Sequence, residues 1–380
     1  MFFKGGIFLE HIKSTLNIFK KNVVLTVAVL AAIVTTFFVK PDKQYLKYFD
    51  LQTLTCLFCT LAVVCAFKNI HLFEIISRKI VTLFKTSRSA VIALVYITFI
   101  GSMIMANDMA LITFLPLGYF VLSSTNNKKY MAFTFIMQDI SANLGGMITP
   151  FGNPQNLYLY SCFNISGREF FSIMFLPFVI SVILITACCF FVGKEELVIK
   201  DEYNEQLNVK LSVIYGILFV FSVSIVFDIV PYYVGFAIIV VSLLILDRKA
   251  LLKVDYPLLL TFCAFFVFSG NMARIPAVNT FLGNLISRNT LFYGVLSCQC
   301  ISNVPSAILL SKFTQNYPEL LVAVNIGGAG TLVASLASLI TFREYSKYAP
   351  NEIGTYVKQF SIFNFGILIV LLVVMGIRFA

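Results

Sequence analysis

Seven long runs of apolar residues, almost free of charged side chains, constrain this chain more than any other feature. Each ionised group at the centre of a bilayer costs roughly 3 kcal/mol, so apolar runs of about 20 residues are typical of membrane-spanning helices. The runs cover residues 23–39, 51–67, 170–192, 210–228, 232–246, 257–272 and 359–377. They predict an all-α polytopic membrane protein, and a composition with only 12% charged residues excludes an ordinary water-soluble enzyme.

The basic residues lie in short segments between these runs, where they orient the helices. The formal net charge is +10, but no basic face remains for DNA, so no nucleic-acid partner is expected. With a cytoplasmic N-terminus, the cytoplasmic segments hold 20 of the 28 Lys and Arg residues, which favours a multi-pass protein of the cytoplasmic membrane in that orientation. Residues 1–22 predict an amphipathic lead-in, 68–88 an amphipathic helix on the cytoplasmic interface, and 193–208 a solvated linker.

Four further apolar stretches are interrupted midway by Asn, Asp, Gly or Pro, and they cover residues 89–122, 131–160, 289–313 and 318–341. Irregular backbone at membrane depth is tolerated only where it is buried in protein or lines a cavity, because lipid offers no hydrogen bonds. The first stretch is longer than one span and carries Asn107 and Asp108 near its middle, which predicts two half-helices in a re-entrant hairpin. The third repeats this design around Ser302 and Asn303, and the other two predict broken helices.

The two broken helices align directly, which indicates an internal duplication. NLGGMITPFGNPQNL begins at Asn143 and NIGGAGTLVASLASL begins at Asn325, an offset of 182 residues. A hairpin followed by a broken helix, once per half, is typical of a repeat-built transporter with its binding site at the midplane. If both hairpins return to their starting side, they open to opposite sides of the membrane, so the fold prediction is two inverted repeats.

Polar residues cluster in these interrupted stretches and recur in both halves. They are Asn107, Asp108, Asp139, Asn143, Thr149, Asn153, Gln155 and Asn156 in the first half, and Ser302, Asn303, Thr331, Ser335 and Ser338 in the second. Any one of them could simply join helices or cap a half-helix. Half-helix N-termini suit an anion, whereas unwound carbonyls suit a cation, so the cluster predicts an anionic substrate beside a coupling ion.

Asp108 and Asp139 are the only acids in the interrupted stretches of the first half. A lone buried carboxylate takes a proton, pairs with a base or coordinates a cation, and no Lys or Arg is placed to pair with either acid. We therefore predict that Asp108, Asp139 and Asn143 handle the coupling ion, with a structural role for Asp139 equally open. The ion is Na⁺ or H⁺, and Na⁺ could bind at Asn107, Asp108 and Asn153. No other cofactor is expected.

The segments ANDMALITFLP, ANLGGMITPFGNPQNLYLYS, ISNVPSAILL and NIGGAGTLVASLASL resemble the signature segments of the ion transporter superfamily, which contains the divalent anion/sodium symporters, the citrate-transporter-like permeases and the arsenite permeases. The hairpin tips read Asn107-Asp108-Met109 and Ser302-Asn303-Val304. The carboxylate-transporting members usually have Ser-Asn-Thr at both tips, and this departure resembles the arsenite-permease branch more closely.

The resemblance implies that hairpin tips and broken helices hold the substrate. Together with the polar cluster it predicts substrate contacts from Asn107, Thr149, Gly152, Asn153, Pro154, Asn156, Ser302, Asn303, Thr331 and Ser335. It also implies a homodimer in which a transport domain slides against a scaffold, an elevator-type arrangement. We divide the chain into scaffold helices at 1–88, transport elements at 89–193, a linker with scaffold helices at 194–275, and transport elements at 276–380.

The function predicted from the sequence is an ion-coupled secondary transporter of a small anion, either a carboxylate or an inorganic oxyanion, and not an enzyme. An arsenite efflux permease and a Na⁺/H⁺ antiporter are alternatives of the same class. An intramembrane aspartyl protease is a disfavoured alternative of another class, because the Gly-x-Gly-Asp motif is missing before Asp139. Cys56 and Cys59 form a C-x-x-C within an apolar run, where small buried hydrophobes are expected. Arg274 and Arg288 flank the second hairpin and could steer anions.

Overall fold

The computed structural model describes residues 22–196 and 206–380, so the predicted lead-in at 1–21 and most of the linker, at 197–205, lie outside the described residues. The described part is almost entirely helical, and its one β-type pairing is an isolated bridge between Thr86 and Glu196. In chain order its α-helices are α1 Val23–Phe38, α2 Leu51–Asn69, α3 Leu72–Val81, α4 Ser87–Ile104, α5 Asn107–Ser124, α6 Met131–Gly145, α7 Pro154–Cys162, α8 Gly167–Cys189, α9 Val209–Val226, α10 Tyr232–Leu246, α11 Arg248–Leu252, α12 Tyr256–Arg274, α13 Pro276–Arg288, α14 Thr290–Ile301, α15 Asn303–Leu310, α16 Tyr317–Ile326, α17 Leu336–Tyr348 and α18 Ile353–Phe379.

All seven predicted apolar runs are helical, which confirms the all-α fold class. Six helical segments of the described part are long and apolar enough to cross a membrane: α2, α4, α8, α9, α12 and the stretch Pro350–Phe379 that contains α18. The predicted runs at 23–39 and 232–246 form the shorter helices α1 and α10. The predicted interfacial helix at 68–88 is reduced to α3, which begins after His71 adopts a left-handed conformation.

The first hairpin consists of α4 and α5, which are separated only by Met105 and Ala106. Thr86 caps α4 in a capping box with Ser89, which fixes its start. The two arms are antiparallel: Ala90 and Leu94 of α4 pack with Leu117 and Val121 of α5. Each arm has 18 residues, about 27 Å of helix, so these arms are longer than the half-helices that the sequence predicts.

The second hairpin, α14 and α15, is shorter, with arms of 12 and 8 residues. Its turn is a single residue, Ser302, with a φ of 75°. A residue other than glycine in this region is strained and must be held by its surroundings. Here the Asn303 N–H donates to the Ala334 carbonyl at 3.0 Å and the Ser302 hydroxyl donates to the same oxygen at 3.3 Å. The break in the second broken helix therefore holds the tip of the second hairpin.

The two predicted broken helices are confirmed as α6–α7 and α16–α17. In the first, a turn of 3₁₀ helix at Gly146–Ile148 follows α6 and the chain unwinds before α7. Asn153 precedes α7 and Ser335 precedes α17, each in an extended conformation. These two residues are 182 positions apart, the offset found in the sequence alignment. The duplication thus places the second helical segments of both halves at equivalent residues.

Two groups of polar contacts join helix ends. In one group, Glu195 contacts both Lys129 and the start of α4, where its carbonyl accepts from the Ser87 N–H at 2.8 Å. The same group includes the hydrogen bond between the ends of α2 and α10, where Asn69 donates to Asp247 at 2.8 Å. The second group consists of Arg274 with Asp42 at 2.7 Å, Gln52 with Asp228 at 2.6 Å, and Tyr317 with Glu169 at 2.6 Å.

Candidate functional site

Six of the predicted site residues line one cavity of about 50 Å³ between the hairpin tips and the broken helices. They are Asn107, Asp108, Pro154, Ser302, Asn303 and Ser335. The remaining lining residues are Val24, Leu258, Thr261, Phe265, Val304, Pro305 and Leu336. The cavity therefore combines groups from both halves of the chain, as the duplication predicts.

Four helices begin at this cavity. Its lining includes the first residues of α5, α7, α15 and α17, namely Asn107, Pro154, Asn303 and Leu336. The N-terminal end of a helix carries about half a positive charge. Four such ends around one small volume make an environment that favours negative charge.

The two tip asparagines, which both line the cavity, differ in the side-chain atom that has no hydrogen-bond partner among the described residues. Asn107 donates its Nδ2 to Oδ1 of Asn143 at 3.1 Å, which leaves the Asn107 Oδ1 without a hydrogen-bond partner among residues 22–196 and 206–380. Asn303 accepts the Val304 N–H on Oδ1 at 2.9 Å, and its Nδ2 has no partner within the same residues. The first tip thus offers an acceptor, which suits a cation, and the second offers a donor, which suits an anion.

Asp108 also lines a second, larger cavity of about 490 Å³, which we call the vestibule. The vestibule is bounded by α1, α12, α5 and α17, and it shares Val24, Asp108, Leu258, Thr261 and Leu336 with the small cavity. Within the described residues the Asp108 carboxylate makes no hydrogen bond or ion pair, as the lack of a nearby Lys or Arg predicted. It lies in the first turn of α5, where the helix N-terminus stabilises its negative charge.

Asp139 lies in a different environment, fully buried between α6 and α17. Its Oδ1 accepts from Asn143 Nδ2 at 3.4 Å and its Oδ2 accepts from the Ser338 hydroxyl at 3.1 Å. Because Asn143 also accepts from Asn107, a chain of hydrogen bonds runs from the small cavity to Asp139. Two of the three predicted coupling residues, Asp139 and Asn143, therefore lie in one network, which does not include Asp108, and Asp139 itself does not line the cavity.

The second half has a matching asparagine with different partners. Asn325, 182 residues after Asn143, donates its Nδ2 to Asn156 at 2.5 Å and accepts from Asn153 at 3.3 Å. It also donates to the Leu321 carbonyl, and Leu321 is the position equivalent to Asp139. Asn153 and Asn156 thus join the two halves, and neither lines the small cavity.

Thr149 and Thr331 hold the hairpins and do not line the small cavity. The Thr149 hydroxyl donates to the Met103 carbonyl at 3.0 Å, and the Thr331 hydroxyl donates to the Gln299 carbonyl at 3.1 Å. Each accepting carbonyl lies four residues before its tip asparagine, so the two contacts are equivalent. Gly152 is required by packing, since a Cβ there would lie 2.4 Å from the Gly146 carbonyl oxygen.

The unwound carbonyls are held by two amide side chains, one in each half. Asn156 Nδ2 lies 3.1 to 3.3 Å from the carbonyls of Gly146, Met147 and Thr149. In the second half Gln299 Nε2 donates to Gly327 and Ala329 at 2.9 and 3.1 Å. Sequence reasoning missed Gln299, although a glutamine four residues before a hairpin tip within an apolar helix was a usable signal.

Several other predicted features have simple structural roles. Arg274 is paired with Asp42, and its guanidinium holds the pKa of that carboxyl below its usual value, so Arg274 is engaged in an ion pair. Arg288 is exposed at the end of α13. Cys56 and Cys59 are free and buried, as expected of small hydrophobes. Among the residues that the structure describes, no three His, Cys, Asp or Glu side chains are grouped to hold a metal.

Comparison with known proteins gives consistent results. The sequence model of a family described as "Citrate transporter" matches residues 15–319, which include both hairpins and the first broken helix. An uncharacterized transporter of Methanocaldococcus jannaschii is 34% identical over 303 residues, covering 77% of this chain and 81% of that protein. The inner membrane protein YbiR of Escherichia coli K12 is 30% identical over 283 residues, covering 71% of this chain and 73% of that protein.

Proposed function

The chain belongs to the citrate transporter family, and from this we propose that it is an ion-coupled secondary transporter of a small anion across the cytoplasmic membrane. The observation that carries the proposal is the convergence of four helix N-termini on the cavity that both hairpin tips line. The positive ends of these helices, with the Asn303 amide, favour a carboxylate or an inorganic oxyanion. The resemblance to the ion transporter superfamily is confirmed by the family match.

Coupling follows from the position of Asp108 in the same cavity. Two like unit charges about 4 Å apart repel each other by about 4 kcal/mol at an effective dielectric constant of 20. A proton or Na⁺ on the carboxylate removes this repulsion, so the anion and the cation favour each other's binding. The free Asn107 Oδ1 beside Asp108 supports Na⁺ as one choice. We assign coupling to Asp108, with Asp139 and Asn143 as the connected alternative.

The volume of the cavity bears on the substrate. At about 50 Å³ it is far smaller than the roughly 300–1,000 Å³ of sites for drug-sized ligands, so a citrate-sized anion requires the hairpin tips to separate. An inorganic oxyanion needs less movement. Arsenite efflux remains the alternative that size favours, but arsenous acid is neutral near pH 7 and gains less than an anion from four helix N-termini.

We propose that the two halves are inverted repeats with a cytoplasmic N-terminus. The two groups of helix-end contacts support this. One group includes Lys129, beside the start of the first hairpin. The other includes Tyr317, and Glu319 in the same first turn of α16 accepts from the Leu291 N–H at the start of the second hairpin. Labelling of Lys128→Cys and Lys312→Cys in sealed vesicles tests the topology. Reaction of both cysteines from one face would contradict it.

We further propose an elevator mechanism in a homodimer. The vestibule between α1 and α12 on one side and α5 and α17 on the other supports a boundary between scaffold and transport elements, in agreement with the division at 1–88, 89–193, 194–275 and 276–380. The relative YbiR is named an inner membrane protein, which supports the cytoplasmic membrane as the location. Cross-linking at the vestibule, between cysteines in α1 and α17, should arrest transport if these elements slide past one another.

The transport function is tested in proteoliposomes with citrate, succinate, sulfate, phosphate and arsenite, under Na⁺ and pH gradients imposed separately. We expect accumulation of at least one anion against its gradient, driven by one of the two ions. Transport of arsenite alone would favour the efflux alternative. Cation exchange without any anion movement would favour a Na⁺/H⁺ antiporter.

A further inference from the structure

The vestibule holds three charged side chains, Asp108 at its inner end and Asp255 and Arg343 at exposed positions. Asp255 is used as the N-cap of α12, where its Oδ1 accepts from the Leu258 N–H at 3.0 Å. Arg343 has no hydrogen bond or ion pair within residues 22–196 and 206–380. It is the one basic residue among those that line the vestibule.

Arg343 and the small cavity are connected along one face of α17. Leu336, the first residue of α17, lines both cavities, and Leu339, Ile340 and Arg343 line the vestibule. Seven residues correspond to about two turns, or 10 Å along the helix axis, and return to almost the same direction. The guanidinium therefore lies on the face that leads to the N-terminus of α17, where Ser335 lines the cavity.

We propose that Arg343 forms an outer anion-binding subsite in the vestibule, which captures the anionic substrate before it reaches the hairpin tips. The inference rests on the proposed anion transport. It adds the residue that first binds the anion and the side from which the anion reaches the cavity. The vestibule lining carries two acids and one base, so the attraction for an anion is local to the Arg343 guanidinium, whose paired donors fit a carboxylate or an oxyanion. Within the vestibule lining, Arg343 alone can do this.

The subsite is present in one half only. Under the offset of 182 residues the position equivalent to Arg343 is Ser161, near the end of α7. At this position α7 carries a hydroxyl where α17 carries a guanidinium. Loss of Arg343 should therefore affect transport from the vestibule side more than transport from the opposite side.

The first test measures the electrostatic potential of the vestibule without a substrate. In a Leu339→Cys protein, we compare the labelling rates of two thiol-reactive thiosulfonates, one with an anionic sulfonate group and one with a cationic trimethylammonium group. Labelling of the parent protein, which lacks the introduced cysteine, is subtracted. Arg343→Gln should lower the sulfonate to trimethylammonium ratio by about threefold to tenfold. Lys358→Gln, which removes an exposed cation outside the vestibule lining, should leave the ratio unchanged. Ile340→Cys replaces Leu339→Cys if the latter does not fold.

The second test measures the KM for a radiolabelled anion from each side of oriented proteoliposomes. The anion is citrate or, if the wild-type protein transports a different anion among succinate, sulfate, phosphate and arsenite, that anion. Arg343→Gln should raise the KM from the vestibule side by about threefold to tenfold, with kcat kept and with a weaker dependence on salt. Arg343→Lys should recover part of the loss. An unchanged labelling ratio, an unreactive vestibule cysteine or an unchanged KM overturns the subsite. If the wild-type protein transports no anion, the proposed anion transport is wrong. The labelling ratio is measured without substrate, so it tests the Arg343 subsite independently of that result.

Discussion

Asn325 donates its side-chain amide to Oδ1 of Asn156 at 2.5 Å, and this hydrogen bond joins the second half of the chain to the first. Both residues are fully buried. The same Asn156 amide holds the unwound carbonyls of the first broken helix. Because one side chain satisfies several buried backbone groups and one side chain of the other half, the break and the contact between halves depend on each other.

Asn156→Leu should lower the stability of the folded protein. It leaves the Gly146, Met147 and Thr149 carbonyls and the Asn325 amide without this partner, and each unsatisfied buried group costs roughly 1–3 kcal/mol. We expect a lower Tm in detergent micelles by several degrees. Asn351→Leu, at an exposed position, is the matched control. A Tm equal to that of wild type would show that these contacts do not stabilise the fold.

Hydropathy was enough to predict the helices. The seven apolar runs are all helical because hydrocarbon requires internally satisfied backbone in any segment that spans it. The boundaries were less accurate where hydrogen bonding determines them. The run at 359–377 belongs to α18, which begins at Ile353, because the helix continues through Lys358 and Gln359 after the turn at Pro350–Glu352.

The composition of the cavity was predicted in part, and the rest depends on tertiary contacts. The offset between Asn143 and Asn325 locates the breaks in the two broken helices. The polar residues that interrupt the other two apolar stretches locate the hairpin tips. Residue type does not distinguish an unpartnered amide that lines the cavity, such as that of Asn303, from one that binds carbonyls, such as that of Asn156. Nor does it show which face of α17 Arg343 occupies, so the sequence pointed to Arg274, which is paired with Asp42.

Thr149→Val and Thr331→Val should weaken substrate binding without removing any cavity-lining group. Each valine keeps the shape and loses the hydroxyl that donates to a hairpin arm, at 3.0 and 3.1 Å in the two halves. A loss of about 1 kcal/mol in tip ordering corresponds to about a fivefold rise in KM. The serine variants, which keep the hydroxyl, should restore the wild-type KM, and exposed Thr355→Val serves as the control. Equal KM values for the serine and valine variants would argue against this role.

Asn303→Asp should damage anion binding more than Asn303→Ala. Asn303 lines the cavity and its Nδ2 has no partner within the described residues, and alanine removes this donor at a cost of about tenfold in affinity, or about 1.4 kcal/mol. Aspartate replaces the donor by a negatively charged oxygen, so we expect a loss on the order of 100-fold from like-charge repulsion. Asn107→Ala should cost about tenfold as well, since it removes the cavity acceptor and the contact to Asn143. Substrate-induced thermal shifts measure these affinities, with Asn351→Asp as the charge control. Equal losses for Asn303→Asp and Asn303→Ala would contradict a donor role.

Asp108 and Asp139 should separate into a coupling residue and a structural residue. Asp108 lines the cavity and the vestibule without a partner in the described residues, so its carboxylate is accessible to a proton or Na⁺ together with the anion. Asp139 is fully buried, and both of its oxygens are hydrogen-bonded, to Asn143 and Ser338. Asparagine keeps the shape of either side chain and removes its charge.

Asp108→Asn should therefore abolish accumulation driven by the ion gradient. It should spare the exchange of labelled for unlabelled anion across the membrane, since the neutral amide does not repel the anion. Asp139→Asn should keep gradient-driven accumulation and lower the Tm, because an amide can replace only one of the two accepting oxygens. Both variants are measured in proteoliposomes under imposed Na⁺ and pH gradients, with Tm in detergent as the second measurement. If accumulation persists in Asp108→Asn but disappears in Asp139→Asn, the coupling role belongs to Asp139. The hydrogen bonds from Asn107 through Asn143 would then connect the cavity to Asp139 as the site of protonation.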